Sequence, residues 1–314
     1  ITRYNPDTGE ESELYTAGGM SVTNDLTQAG NFVSITPNAP PVIDKGGVDN
    51  TRVRFYKREA GLWGYIGEGA HNTAFIDDNI DADVGISPPE YQSLFDQAGR
   101  YPAVATYWNQ RKGFASTDDA PQTHWMTRTG TEANMTYSIP SRATDSITYT
   151  LASHRAQQIR HLADLGDLYL FTQSAVWRSR STDQGIISAD TLEYRPVSFV
   201  GASKAPLAYT QRSVLFVGER ANRVFELLPE KDEAAAKDVS LSGYTIIDSA
   251  FISNPHPIAF FLRSDGLILG CSYEPDENVL GWFQIDMGDP VASIVAIPEG
   301  QKDALYMVVR RTLG

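Results

Sequence analysis

From residue 103 onward the chain repeats itself. An apolar strand, a short turn, a second apolar strand, a polar turn and a third strand occur first as AVATYW, RKGFAST and THWMTR. The set returns as IRHLADLG, DLYLFTQ and AVWRSR, then as PLAYTQ, SVLFVGE and RVFELL. A fourth set reads SAFISNP, IAFFLRSDG, LILGCSYE and VLGWFQID, and the last is ASIVAIPEG with DALYMVVR. The units begin near residues 103, 159, 205, 248 and 291. The later spacing of roughly 43–46 residues falls within the ~40–50 of a propeller blade. Each unit makes a small sheet with two apolar faces, and radial stacking is what lets every face be covered by a neighbour. A closed ring has ~4–8 blades of four strands. Four full units and part of a fifth are visible, so residues 91–314 are expected to form an all-β, propeller-like domain that is incomplete or truncated at its C-terminus.

Two segments compete with this reading. In TLASHRAQQIRHLADLG, Ile159, Leu162 and Leu165 have helical spacing. The segment fills the first-strand slot of its unit, however, which predicts a strand or bent turn. EKDEAAAKD, residues 230–238, predicts a solvated helical turn in a loop between blades.

Residues 1–90 follow a different pattern. Ile1 and Tyr4 favour a strand, followed by the turn formers Asn5, Pro6, Asp7 and Gly9. Residues 15–50 are rich in Gly, Thr, Asn and Pro, with a short strand at NFVSIT. In TRVRFYKREAGLWGYIGEG, Val53 and Phe55 alternate with Arg52 and Arg54, the period-2 pattern of a half-buried strand. Glu59-Ala60-Gly61 turns the chain into the partner strand LWGYIG. NTAFIDD adds a strand, and Pro88-Pro89 closes a small antiparallel sandwich with a boundary near residue 90.

Composition narrows the function. The 314 residues are 41% hydrophobic and 21% charged, enough to bury a core. No apolar run approaches the ~20 residues of a membrane-spanning helix. The chain opens ITRYNPDTGE without Met or a basic and apolar leader, and is expected to be an internal segment or a processed product. The single cysteine, Cys271, excludes a disulfide framework within the chain and is expected to fill core space. The net charge of −13 argues against a protein that grips nucleic acid, which needs a basic face. It is compatible with a passage that DNA slides through.

Chemistry-bearing residues concentrate in YPAVATYWNQRKGFASTDDAPQTHWMTRTG, residues 101–130. Arg111, Asp118, Asp119 and His124 can be drawn as a catalytic set. Against that, His124 lies in an alternating strand and the two aspartates sit in an ordinary turn before Pro121. The histidines at 71, 124, 154, 161 and 256 lack metal-site spacing. Asp77, Asn79 and Asp81 alternate like the start of a calcium loop, but Ala82 stands where Gly is needed and Pro88 where a bidentate Glu belongs. STDQGIIS, residues 181–188, is close to an Asp-box turn, with Ser188 in place of its Trp. Trp63, Trp108, Trp125, Trp177 and Trp282 stand at strand positions, where blade packing competes with a sugar-binding platform. No phosphate loop, nucleophile elbow or dinucleotide fingerprint is present. No catalytic, cofactor or metal residue is assigned.

The order of blocks is more specific than any one motif. TGEES is followed by RVRFYKREAGLWGYIG, FIDDNIDAD with PP, and the 101–130 stretch. LYLFTQSAVWR, FVGASKAPLAY with VLFVGE, FLRSDGLILGCSYE, GWFQID and LYMVVRR complete the series. Over nearly its whole length the chain resembles the tail nozzle, or tail tubular, proteins of short-tailed phages, with packaged-DNA stabilisation proteins as a related comparison. Pro102, Arg111 and Pro121–Trp125 carry the most specific part of the likeness. The resemblance implies a propeller-like domain joined to a fibronectin- or immunoglobulin-like sandwich, in a homohexamer below the portal and adaptor. There it would retain packaged DNA and conduct it at ejection, without sequence recognition or membrane insertion. It implies a virion protein made in the host cytoplasm, with no catalytic residues. Members of that family are longer, so a tip region and a closing blade are expected to be missing here. A carbohydrate-binding propeller for host recognition is the second reading, and a glycosidase with paired carboxylates, or another enzyme, the third.

Overall fold

Val53 and Phe55, each only 1% exposed, organise the first module. A computed structural model describes residues 1–6, 10–15, 25–37, 51–90, 94–153, 157–183, 185–210, 212–231, 233–236, 244–274 and 279–311. Within them β1 (Thr2–Tyr4), β3 (Arg52–Glu59) and β4 (Leu62–Ala70) make one sheet in the order β1-β3-β4, while β2 (Val33–Ile35) pairs with β5 (Phe75–Asp77). The expected turn forms at Ala60 and Gly61, both at positive φ, the geometry that matches the twist of a hairpin. A bulge at Phe55/Tyr56 breaks the alternation, so Tyr56 is buried as well. Phe55 stacks on Phe75 with ring centroids 4.1 Å apart, joining the two small sheets. Beside this core Glu11 accepts from Thr2 Oγ1 (2.6 Å), Tyr56 Oη (2.5 Å) and Arg54 (2.9 Å). Burial and the Glu11 charge push the Tyr56 hydroxyl well above its ordinary range.

From residue 104 the chain is a series of antiparallel meanders. Blade 1 comprises β6 (Val104–Trp108), β7 (Arg111–Ala115), β8 (Thr123–Met126) and β9 (Ile147–Thr150). Blade 2 comprises β10 (Ile159–Leu165), β11 (Asp167–Thr172), β12 (Val176–Ser181) and β13 (Leu192–Ser198). Blade 3 holds β14 (Ala208–Tyr209), β15 (Val214–Val217), β16 (Val224–Leu228) and β17 (Glu233–Ala236). Blade 4 holds β18 (Ile246–Ile252), β19 (Ile258–Arg263), β20 (Ile268–Glu274) and β21 (Val279–Ile285). The fifth sheet pairs β22 (Val291–Glu299) with β23 (Lys302–Val309). The domain is all-β and propeller-like, with unit starts where the sequence repeat places them. The segment around Ile159 is a strand.

Two expectations need correction. The three-strand repeat misses a fourth strand in blades 1 to 3, namely β9, β13 and β17. The helical turn expected over 230–238 is also absent from its described residues. Ala234, Ala235 and Ala236 instead ladder against Leu227, Glu226 and Phe225. Alanine's helix preference of well under ~1 kcal/mol per residue is outweighed by pairing with a free sheet edge.

The cores lie between blades, one per junction. Trp108, Ala115, Met126 and Ile147 of blade 1 meet Leu162, Leu168 and Leu170 of blade 2. Tyr169, Phe171 and Val176 meet Val214, Phe216 and Leu227 of blade 3. Leu215 and Val217 meet Ala259, Phe261 and Cys271 of blade 4, and Phe260, Leu262 and Ile268 meet Val291 and Ile294 of the fifth sheet. The first strands of blades 1 and 2, and those of blades 3, 4 and 5, lie against one another, which puts the first strand of each blade innermost.

Because each junction is a separate core, truncating one aromatic at a junction should be costly. Phe171→Ala, which removes the edge-to-face contact with Phe216 (5.2 Å), is expected to lose about 3–5 kcal/mol in urea unfolding. Phe199→Ser, at a site 79% exposed, should change stability by less than about 0.5 kcal/mol.

Candidate functional site

The 101–130 stretch builds the hairpin β6–β7 and the strand β8. Asn109 and Gln110 both take positive φ at the hairpin tip, so Arg111 returns directly opposite Trp108. The Arg111 side chain then runs inward and is 2% exposed. One terminal nitrogen donates to the carbonyls of Thr127 (2.8 Å) and Asp145 (2.5 Å). The other donates to those of Ala143 (2.6 Å) and Ile187 (3.4 Å). Ile187 belongs to the β12–β13 connection, so the guanidinium ties blade 1 to blade 2. Burial lowers its pKa to about 10, the Asp145 charge opposing the fall and Arg128 adding to it. Arg111 therefore remains a cation at neutral pH.

Asp145 is the residue that sequence reasoning missed. It is 2% exposed and accepts from Ser138 N (2.9 Å), Ser138 Oγ (3.1 Å) and Arg142 N (2.9 Å), with Arg128 3.6 Å away. It thus shapes the loop whose carbonyls Arg111 holds. The only signal in the sequence is indirect, since a buried arginine asks for a nearby carboxylate. Phe95 was also missed. It covers the face of blade 1 turned away from blade 2, with its ring 5.3 Å from both Phe114 and Trp125.

His124 is 1% exposed, stacked on Tyr149 (5.8 Å) and edge-on to Tyr194 (5.1 Å) of blade 2. Neither ring nitrogen has a hydrogen-bond partner among the described residues. Burial lowers its pKa to about 3, so the ring is neutral. Asp118 and Asp119 are exposed, and Asp119 lies 3.6 Å from Arg100. The drawn set of Arg111, Asp118, Asp119 and His124 is not assembled. The strand turns His124 into a junction core, while the aspartates stay in the solvated turn after Thr117, whose hydroxyl accepts from Ala120 N (3.0 Å).

The other candidates are similarly committed. Asp77 accepts from the amides of Asn79 (3.1 Å) and Ile80 (2.9 Å), and Lys57 stands 3.7 Å away, a cation where a calcium ion would sit. Asn79 and Asp81 are exposed. Among the described residues no group of three or more His, Cys, Asp or Glu is placed to hold a metal. In the near-Asp-box turn Ser181 Oγ donates to the Ile186 carbonyl (2.6 Å), which holds the turn closed. Trp108 and Trp125 are buried; Trp63, Trp177 and Trp282 are half-buried. Trp108 Nε1 donates to Gly166 O of blade 2 (3.1 Å). Cys271 is buried between blades 3 and 4. His161 donates to Ser203 O (2.9 Å) and His256 is exposed, 4.0 Å from Glu274, whereas His154 lies outside the described residues. A cavity of about 680 Å³ separates the N-terminal segment around Glu11 and Tyr15 from residues 133–136 of blade 1.

No protein-family model and no curated protein matches the chain. Among solved structures it is similar to a streptogramin B lyase at 13% identity and a TM-score of 0.42, over 88% of this chain and 98% of that one. It is similar to YCF48 bound to D1 peptide at 11% identity and 0.41, over 82% and 71%. Raptor of Chaetomium thermophilum gives 12% and 0.39, over 62% of this chain but only 18% of its own.

Two substitutions test the commitments of this stretch. Arg111→Met should cost about 3–5 kcal/mol, because buried carbonyls lose a charged donor; urea unfolding at pH 7 measures it. His124 binds a proton less readily in the folded chain than in the unfolded one. Its contribution is therefore complete above about pH 6.5 and is lost as pH falls toward about 3, by up to ~1.4 kcal/mol per unit. His124→Phe is expected to shrink the difference in urea midpoint between pH 7 and pH 4.5 relative to the wild type.

Proposed function

We propose that this chain is a structural, non-enzymatic component of a short-tailed phage tail, part of the nozzle that retains and then conducts the packaged genome. One observation carries the reading. The polar side chains of its most motif-like stretch are spent on architecture, with Arg111 on four main-chain carbonyls and His124 inside a blade junction. The block order that resembles the nozzle family supports the specific assignment. In this reading six copies surround a channel, contact adaptor or portal and other tail proteins, and reside in the virion. The net charge of −13 fits a wall that repels DNA, whose duplex carries one charge per ~1.7 Å, so that the strand slides rather than adheres. A sugar-binding propeller would present exposed tryptophans between blades, and the five here are buried or half-buried.

Negative-stain microscopy of the purified full-length protein tests the assignment. Six-fold rings with an axial bore of net negative charge are expected. A monodisperse monomer that binds glycans on an array would replace this reading with the carbohydrate-binding one.

A further inference from the structure

Blades 2, 3 and 4 meet around a cavity of about 340 Å³ that lies apart from the 101–130 stretch. Arg160 of β10 enters it from blade 2. Ser203 and Lys204 bring in the segment leading to β14, Glu219 the turn after β15, and Thr245 the segment leading to β18. The walls are fixed by hydrogen bonds. His161 donates to Ser203 O (2.9 Å), Ser203 N to Val217 O (2.8 Å), Glu219 N to Gly201 O (2.9 Å) and Ile246 N to Ala221 O (2.7 Å). The cavity is thus built before any ligand arrives, near the lower end of the ~300–1,000 Å³ of small-molecule sites.

Its charges are unusual in a chain this acidic. Among the described residues the buried Nε of Arg160 has no hydrogen-bond partner, and neither Arg160 nor Lys204 forms an ion pair. Most buried donors in folded proteins are satisfied, so an orphaned guanidinium nitrogen in the wall of a polar cavity points to a missing acceptor. A guanidinium and an ammonium together match the fork-and-point geometry used to hold oxyanions. Glu219 is already engaged by Gln173 Nε2 (3.2 Å) and offers an acceptor to a ligand that carries a proton beside its oxyanion.

We propose that this junction binds an oxyanion, a phosphate or carboxylate group held between the Arg160 guanidinium and the Lys204 ammonium. The site is independent of the nozzle assignment, and its test does not require an assembled ring.

Calorimetric titration of the full chain at fixed ionic strength, with inorganic phosphate in one arm and acetate in the other, tests it. Saturable one-to-one binding of either anion is expected, and the arm that saturates identifies the class. Binding should weaken about tenfold or more in Arg160→Gln and in Lys204→Gln, and should be unchanged in Arg310→Gln, a distant exposed arginine. Lys204 is exposed, so its variant decides the matter even where Arg160→Gln fails to fold by circular dichroism. Absence of saturable heat with both anions would overturn the proposal. So would binding that Lys204→Gln leaves intact.

Discussion

Every blade here is a sheet with two apolar faces, and the rest of the structure follows from the need to cover both. Successive residues of one strand serve different neighbours. Leu168 and Leu170 pack toward blade 1, while Tyr169 and Phe171, between and beside them, pack toward blade 3. In β15, Val214 and Phe216 face blade 2 while Leu215 and Val217 face blade 4. In β19 the same division sends Ala259 and Phe261 to blade 3 and Phe260 and Leu262 to the fifth sheet. A blade released from its neighbours would expose both rows at once, at roughly 25 cal/mol per Å² of apolar surface. The blades therefore depend on one another.

Apolar stacking is strong but non-directional, and alone it leaves the angle between adjacent sheets loosely set. Directional bonds cross the same junctions. Arg111 reaches the Ile187 carbonyl and Trp108 that of Gly166, both from blade 1 to blade 2. Ser249 donates to Pro206 O (2.7 Å), and the Tyr273 hydroxyl to the buried Glu226, each joining blade 4 to blade 3. Asp248 accepts from Ile294 N (3.0 Å), and Asp303 from the amides of Ser253 (2.6 Å) and Asn254 (3.0 Å), fastening the fifth sheet to blade 4. Backbone approach matters at these seams too. A Cβ on Gly201 would come within 1.8 Å of Gln173 O, so the residue must be glycine where the chain passes from blade 2 to blade 3.

This division of labour explains what the amino-acid order revealed. Inner and middle strands bury both faces and read as apolar runs, so DLYLFTQ, SVLFVGE and IAFFLRSDG announce themselves. The fourth strands of blades 1 to 3 lie at the outer edge and bury less. ITYT and LEYR bury only alternate residues, and EAAA holds no large apolar side chain, so none of them makes the continuous apolar run that marks the inner strands. Arg111 and His124 were conspicuous as residue types, yet their roles depend on partners far along the chain. The Ile187 carbonyl lies 76 residues from Arg111, and the Tyr194 ring 70 residues from His124. Asp145 and Arg160 stand in ordinary polar surroundings in the sequence, and only the fold reveals one as the organiser of a loop and the other as an unmatched donor.

The first blade and the fifth sheet are covered differently among the described residues. The outward face of blade 1 carries Phe114 and Trp125, and Phe95 folds back over both. Residues 85–90 add hydrogen bonds to the 137–142 loop of blade 1, so the first module and its connection act as a cap. The outward face of the fifth sheet carries Val295, Ile297, Tyr306 and Val308, exposed by 43–60%, with no comparable cover among the described residues. In stacked-repeat architectures each unit relies on its neighbours to cover its apolar faces. Among the described residues the fifth sheet has two strands where blades 1 to 4 have four. Its attachment rests on one inward row, including Val291 and Ile294, together with the Asp248 and Asp303 bonds. Local opening is easiest where buried contacts are fewest, and among the described residues the first blade is covered on both faces while the fifth sheet is held to blade 4 by this one row and these bonds.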